Sequence, residues 1–175
     1  MPDIDTMIDD ILRREGGYVD HASDRGGATN YGVTQQTLSE YLGKAVTKDD
    51  VRTMSIDLAR EIYRKNYYFG PKIDRLPKQV QPFIFDCSIN HGPLRAIKFV
   101  QKVCNAAGIA ARIGVDGRMG PATERAAEAT QDQLGRGFLD RLIEERRRFY
   151  GKIVERDPSQ KVFLAGWMNR VDEFA

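Results

Sequence analysis

Glu15 is the side chain in this sequence best placed to do chemistry. It follows Ile4 by eleven positions and Ile8 by seven. At 3.6 residues per turn both spacings return to nearly the same helical face. Glu15 therefore ends an apolar stripe instead of standing on the polar side of its helix. A carboxyl held against apolar surface loses solvation of its charged form, which favours the protonated acid. The negative end of the helix dipole pushes the same way. A general acid working near neutral pH needs that bias. The plainer reading is a part-exposed glutamate at a helix end, and the segment that follows decides between them.

Asp24 lies nine residues further on and Thr29 five beyond that, in a stretch rich in Gly, Asp, Ser and Asn. A protonated carboxyl, an ionised carboxylate and a hydroxyl form the minimal set for cleaving a glycosidic bond. The acid protonates the leaving oxygen, and the carboxylate stabilises the oxocarbenium-like transition state or activates water. The threonine hydroxyl can orient that water. Asp20 competes with Asp24 for the carboxylate role. His21 could serve as a base, but a lone loop histidine is more often only solvated.

The elements that position these residues are almost all helical. Ile4, Met7, Ile8, Ile11 and Leu12 make the amphipathic stripe of a first helix, and Gly16-Gly17 stops it. Residues 18–34 have no helical period and predict a long ordered loop or a small irregular β element. Connections of this length are usually functional. Thr34, Thr47 with Asp50, and Ser55 read as caps of three further helices. Residues 80–89 predict a central buried helix with Pro82 in its first turn. Pro93 opens the next helix and Gly108 ends it. Val115-Asp116-Gly117 predicts a tight turn or a small hairpin before Pro121 opens another helix. A long helix carries Phe138, Leu142, Phe149 and Ile153 and breaks at Asp157-Pro158. A last one carries Phe163, Trp167, Val171 and Phe174, whose simplest role is core packing.

At 175 residues the chain fits one domain, or a domain with a small lobe. Its net charge of +2 excludes a protein that binds nucleic acid through overall basicity. That balance is composite: residues 1–24 hold seven acids against two bases, and residues 136–156 hold seven bases against four acids. The basic run Arg141, Arg146, Arg147, Arg148, Lys152 and Arg156 reads as a solvated, salt-bridged face, because Glu144, Glu145 and Glu155 are interspersed. Attraction to an anionic wall or membrane surface is its functional alternative. No stretch approaches the roughly 18 apolar residues of a membrane span. The acidic start, Met1-Pro2-Asp3-Ile4-Asp5, does not resemble a secretory signal. Cys87 and Cys104 form no zinc pattern and read as two reduced, buried thiols, too far apart along a helical hairpin to bridge.

Several segments together resemble one known family. Glu15-Gly16-Gly17-Tyr18-Val19, with Asp24-Arg25-Gly26-Gly27-Ala28-Thr29-Asn30-Tyr31-Gly32-Val33-Thr34, is similar to the N-terminal signature of glycoside hydrolase family 108, the muramidases of phage endolysins and secretion-associated lysozymes. Phe85-Asp86-Cys87-Ser88-Ile89-Asn90-His91-Gly92-Pro93 resembles that family's second motif. Val115 to Thr123, and Gly166 to Val171, resemble its C-terminal peptidoglycan-binding segment. The resemblance implies a mainly α, lysozyme-like, two-lobed fold with a small irregular β/loop element after the first helix. It implies a catalytic portion over 1–92 and a helical peptidoglycan-binding portion over 93–175, packed as one unit. By the same resemblance Glu15 matches the catalytic glutamate, and Asp24 and Thr29 stand where phage-type lysozymes carry their Asp and Thr.

Tyr18 and Tyr31 flank the loop and could stack on sugar rings or merely pack. Asn90 could bind a substrate acetamido or hydroxyl group, or cap its helix. Asp86, one turn earlier, leans toward a structural hydrogen bond. The expected activity is hydrolysis of the β-1,4 bond between N-acetylmuramic acid and N-acetylglucosamine by a monomer without cofactor. Its partner would be peptidoglycan glycan strands, with no nucleic acid and no membrane span. The enzyme would stay in the cytoplasm until released by a holin or secretion pore and act in the periplasm. A lytic transglycosylase and a non-catalytic wall-binding module are the rival readings.

Overall fold

Residues 3–20 and 28–175 are described by a computed structural model. Asp24 and His21 lie outside the described residues. The chain divides into two compact units, Met1–Phe69 and Gly70–Ala175.

In the first unit, α1 spans Ile4–Glu15 and is capped by Asp3, whose carboxylate accepts from the Thr6 N–H. Its stripe buries Met7, Ile8, Ile11 and Leu12. Gly16, at φ 75°, ends the helix in a conformation that disfavours side chains. The chain after it supplies the small β element. Strands β1 (Thr29–Asn30) and β2 (Val33–Thr34) pair antiparallel, with Thr29 opposite Thr34 and Asn30 opposite Val33. Val19 bridges to the other side of Thr29. Helices α2 (Gln35–Leu42), α3 (Lys48–Arg52) and α4 (Ile56–Ile62) follow, capped by Thr34, Thr47 and Ser55 as expected. The Thr47–Asp50 capping box is complete on both sides. From Tyr63 to Phe69 the chain continues as a π-helix. Ala28, Val33, Leu38, Val51, Ala59, Ile62 and Tyr63 also belong to this unit's core.

The second unit is all helical among the described residues: α5 (Gln81–His91), α6 (Pro93–Ala107), α7 (Pro121–Leu134), α8 (Arg136–Arg156) and α9 (Lys161–Asp172), with 3-10 turns at Ile73–Arg75 and Pro158–Gln160. Helix α5 is buried nearly all round, as its unbroken apolar run predicts. It packs on α6, so the functional boundary expected after Gly92 falls inside this unit. Cys87 and Cys104 are both buried and free. No described helix is long and apolar enough to cross a membrane.

Three details depart from expectation. Residues 115–120 form no hairpin. The buried amide of Gln101 takes their polar groups instead: its Oε1 accepts from the Gly117 N–H at 2.8 Å, and its Nε2 donates to Asp116 at 2.8 Å and to the Arg118 carbonyl at 3.1 Å. Arg146 does not belong to a solvated face, because it is fully buried. The α9 stripe is buried only at Val171, while Phe163 is 54% exposed and Trp167 stacks on Tyr150 at 4.8 Å. The architecture is the mainly α one expected, with a small two-stranded sheet after the first helix.

Candidate active site

Glu15 occupies the last turn of α1 and is half-buried. The β1–β2 turn, Tyr31-Gly32, comes up against it. Both turn residues have positive φ, 51° and 76°, the signature of the two-residue hairpin turns whose twist matches the flanking strands. A Cβ built on Gly32 would lie 3.0 Å from both Cβ and Cγ of Glu15, and 2.5 Å from the Tyr63 hydroxyl. Only glycine lets the turn approach this closely. The buried Tyr63 hydroxyl donates to the Tyr31 carbonyl at 2.7 Å and so ties the turn to the π-helix. Asn30 holds the hairpin's other side. Its buried amide donates to the carbonyls of Val51 and Arg52 at 3.0 and 3.1 Å, satisfying acceptors left open at the end of α3.

The first unit brings Glu15, Thr29 and Tyr31 together at this hairpin. Thr29 exchanges both backbone hydrogen bonds with Val19 at 2.8 Å each, and its hydroxyl lies 3.5 Å from the Val19 carbonyl. Tyr18 is 37% exposed. Tyr31 lines an apolar cavity of about 340 Å³ with Leu12 and Ile56, beside the end of α1. Glu15 is thus a carboxyl on a fixed stem, beside a polar segment, and geometry is the first requirement of a proton donor or acceptor. Asp20 has a different engagement: both of its oxygens accept from Lys48 Nζ, at 3.0 and 3.1 Å. That hydrogen bond and its charge raise the Lys48 ammonium above the usual lysine range.

Asn90 belongs to the second unit. It is exposed near the end of α5, and its amide donates to the Asp86 carbonyl at 2.8 Å. The cap of that helix is Gly92, not Asn90. Asp86 is buried and structural. It accepts from Arg146 at 2.7 Å and from Arg170 at 2.8–3.0 Å. Arg146 also donates to His91 Nε2 at 3.1 Å. The His91 ring sits among Phe99, Phe149 and Tyr150. Burial, with the Arg146 cation second, pushes the imidazole down to about 3. Burial pushes the Cys87 thiol up to about 12, so it is no nucleophile.

The sequence reading missed Gly32, Tyr63, Asn30 and the buried role of Arg146. A glycine between Tyr31 and Val33 is itself a turn signal. Tyr63 carries no local signal, since its partner is 32 residues away.

Residues 8–92 match the family model described as Glycosyl hydrolase 108. Residues 95–172 match a second model, described as Predicted Peptidoglycan domain. No curated protein sequence matches the chain. Among solved structures, that of SagA from Brucella abortus is 32% identical, with a TM-score of 0.81, over 98% of this chain and 90% of that one.

Proposed function

The chain belongs to the glycosyl hydrolase 108 family and is a glycoside hydrolase of peptidoglycan; on that premise we propose that it is an endolysin-type muramidase. It hydrolyses the β-1,4 bond between N-acetylmuramic acid and N-acetylglucosamine, with Glu15 as general acid. The observation that carries this reading is the packing of the Glu15 stem against the Tyr31-Gly32 turn at the end of an apolar helix face. A proton donor is effective only when held at the leaving oxygen, and a stem wedged by a turn has few rotamers in which to wander.

We assign the second carboxylate to Asp24, because its competitor Asp20 is already engaged by Lys48 through both oxygens. In this reading Thr29 orients the attacking water, while Tyr18 and Tyr31 contact the sugars. The rival transglycosylase reaction needs the acid but no water-directing carboxylate.

Replacing Glu15 by Gln tests the assignment. A folded Glu15→Gln protein should clear permeabilised Gram-negative cells about 10²–10⁴-fold more slowly than wild type, the usual contribution of a positioned proton donor. Lysis near the wild-type rate would remove Glu15 from the mechanism. Mass spectrometry of the released fragments then separates the chemistries. Reducing ends mean hydrolysis, and anhydro-muramyl ends mean a transglycosylase.

A further inference from the structure

The second unit carries a cavity of about 670 Å³ between the segment after the Ile73–Arg75 turn and one face of α7. That volume lies within the usual range of small-ligand sites. Its lining is unlike that of a sugar subsite built on aromatic rings. Glu124, Glu128 and Asp132 stand at successive four-residue steps on α7, so they form one ridge along the cavity wall. Arg75 and Lys78 face them from the other segment. Arg75 reaches Glu124 at 3.4 Å, whereas Glu128 and Asp132, both exposed at the cavity wall, have no ion pair among the described residues. Gln131 also lines the cavity, and its amide oxygen is buried with no hydrogen-bond partner. A buried acceptor left open costs stability unless a donor arrives.

We propose that this cavity binds a short peptide carrying both a free side-chain ammonium and carboxylates, the class to which the uncross-linked stem peptides of peptidoglycan belong. The ammonium lies against the Glu128–Asp132 ridge. A peptide N–H meets the Gln131 oxygen, and a carboxylate meets Lys78 and Arg75. The glycan backbone carries no ammonium, so charge complementarity selects the peptide and not the sugar chain. Identifying the ligand as a stem peptide rests on the muramidase reading. The cavity's preference for an ammonium-bearing peptide does not.

The test uses the full chain with the Glu15→Gln substitution, so that nothing is cleaved, and a synthetic L-Ala-γ-D-Glu-diaminopimelate tripeptide as probe. Calorimetry should show saturable binding. Acetylating the side-chain amine of the probe should weaken it at least about tenfold, the loss of one charge-assisted hydrogen bond. Glu128→Gln and Asp132→Asn lie on an exposed helix face, and each should weaken binding of the tripeptide without changing its binding after acetylation. No binding of the tripeptide overturns the proposal. So does binding that is indifferent to acetylation or to both substitutions. Release of reducing ends from peptide-free glycan strands by the wild-type chain is measured in parallel. If that release is absent while the tripeptide binds as described, the muramidase reading fails and the peptide site stands.

Discussion

Gly32 lies against the stem of Glu15: a Cβ added to the glycine would meet both Cβ and Cγ of the glutamate at 3.0 Å. The turn and the acid are therefore one mechanical unit. Replacing Gly32 by Ala places a side chain at a φ of 76°, where L residues are disfavoured, and forces the glutamate stem, the Tyr63 hydroxyl or the turn itself to move. The expected cost is about 1–3 kcal/mol of stability. The expected loss of rate is larger, since a displacement of about 1 Å at a reacting group can cost about 10²-fold. Lytic rates of Gly32→Ala measured well below its melting temperature separate the two effects. Adding Tyr63→Phe removes the 2.5 Å contact with the hydroxyl but also its 2.7 Å hydrogen bond to the Tyr31 carbonyl, and should not restore rate. A folded Gly32→Ala protein with full activity would refute the positioning role of the turn.

Asp86 and Arg146 make a buried pair 2.7 Å apart, with side chains 2% and 0% exposed. A single Arg146→Met change leaves a buried carboxylate with Arg170 as its remaining cation. Breaking such a pair typically costs about 3–5 kcal/mol. Replacing both members, Asp86→Leu with Arg146→Met, removes the orphaned charge. Arg170 is partly exposed and can turn to solvent. The double variant should therefore be less destabilised than the sum of the singles, and urea unfolding of the four proteins of the cycle measures the difference. Strict additivity would mean that the two charges do not stabilise one another.

Much of the fold could be read from the sequence because it is set locally. The α1 stripe, the Thr47–Asp50 box, the Pro93 start and the Gly108 stop each depend on residues within a turn of one another. Glu15 was legible for the same reason, as the end of a periodic face. Its surroundings were not, because Gly32 and Tyr63 reach it from far along the chain, and periodicity is blind to such contacts. Arg146 is a different kind of miss. It falls in step with Leu139, Leu142, Ile143 and Tyr150, all buried, so the period did place it inside. Its charge argued for solvent, and the countercharge that overrules that argument, Asp86, sits on another helix.

His91 makes the second unit sensitive to acid. Its imidazole is pushed from 6.5 down to about 3, first by burial and then by Arg146. Arg95 and Arg170 add to the shift, while Asp86 opposes it. Above about pH 6.5 the ring is neutral in both folded and unfolded chains, and its contribution to stability is fully present. As the pH falls from there toward about 3, the unfolded chain takes up a proton that the folded chain refuses. Stability is lost across that window, with a slope approaching about 1.4 kcal/mol per pH unit from this one group. His91→Gln removes the titrating ring while keeping an oxygen that can accept from Arg146. Its unfolding free energy should fall less steeply between about pH 6.5 and pH 4 than that of wild type. Parallel slopes for the two proteins would show that His91 does not carry the effect.

Gln101 controls the segment that leads into α7. It is 1% exposed, and its amide serves Asp116, Gly117, Arg118 and Thr123 at once. Gly117 cannot move away to find another acceptor partner cheaply, because it is packed at φ 81° against the Leu94 carbonyl, where a Cβ would come within 2.5 Å. Gln101→Leu keeps the volume but leaves the buried Gly117 N–H unsatisfied, a loss of about 1–3 kcal/mol. Gln101→Glu keeps an acceptor for Gly117 and sets a second carboxylate beside Asp116. That variant should be destabilised at neutral pH and recover as the new acid is protonated, whereas the leucine variant should not. Hydrogen exchange at the Gly117 amide gives a local readout. It should quicken strongly in Gln101→Leu and little in Gln101→Glu at acid pH. Equal protection in wild type and Gln101→Leu would mean that the segment is held by its own backbone and not by this side chain.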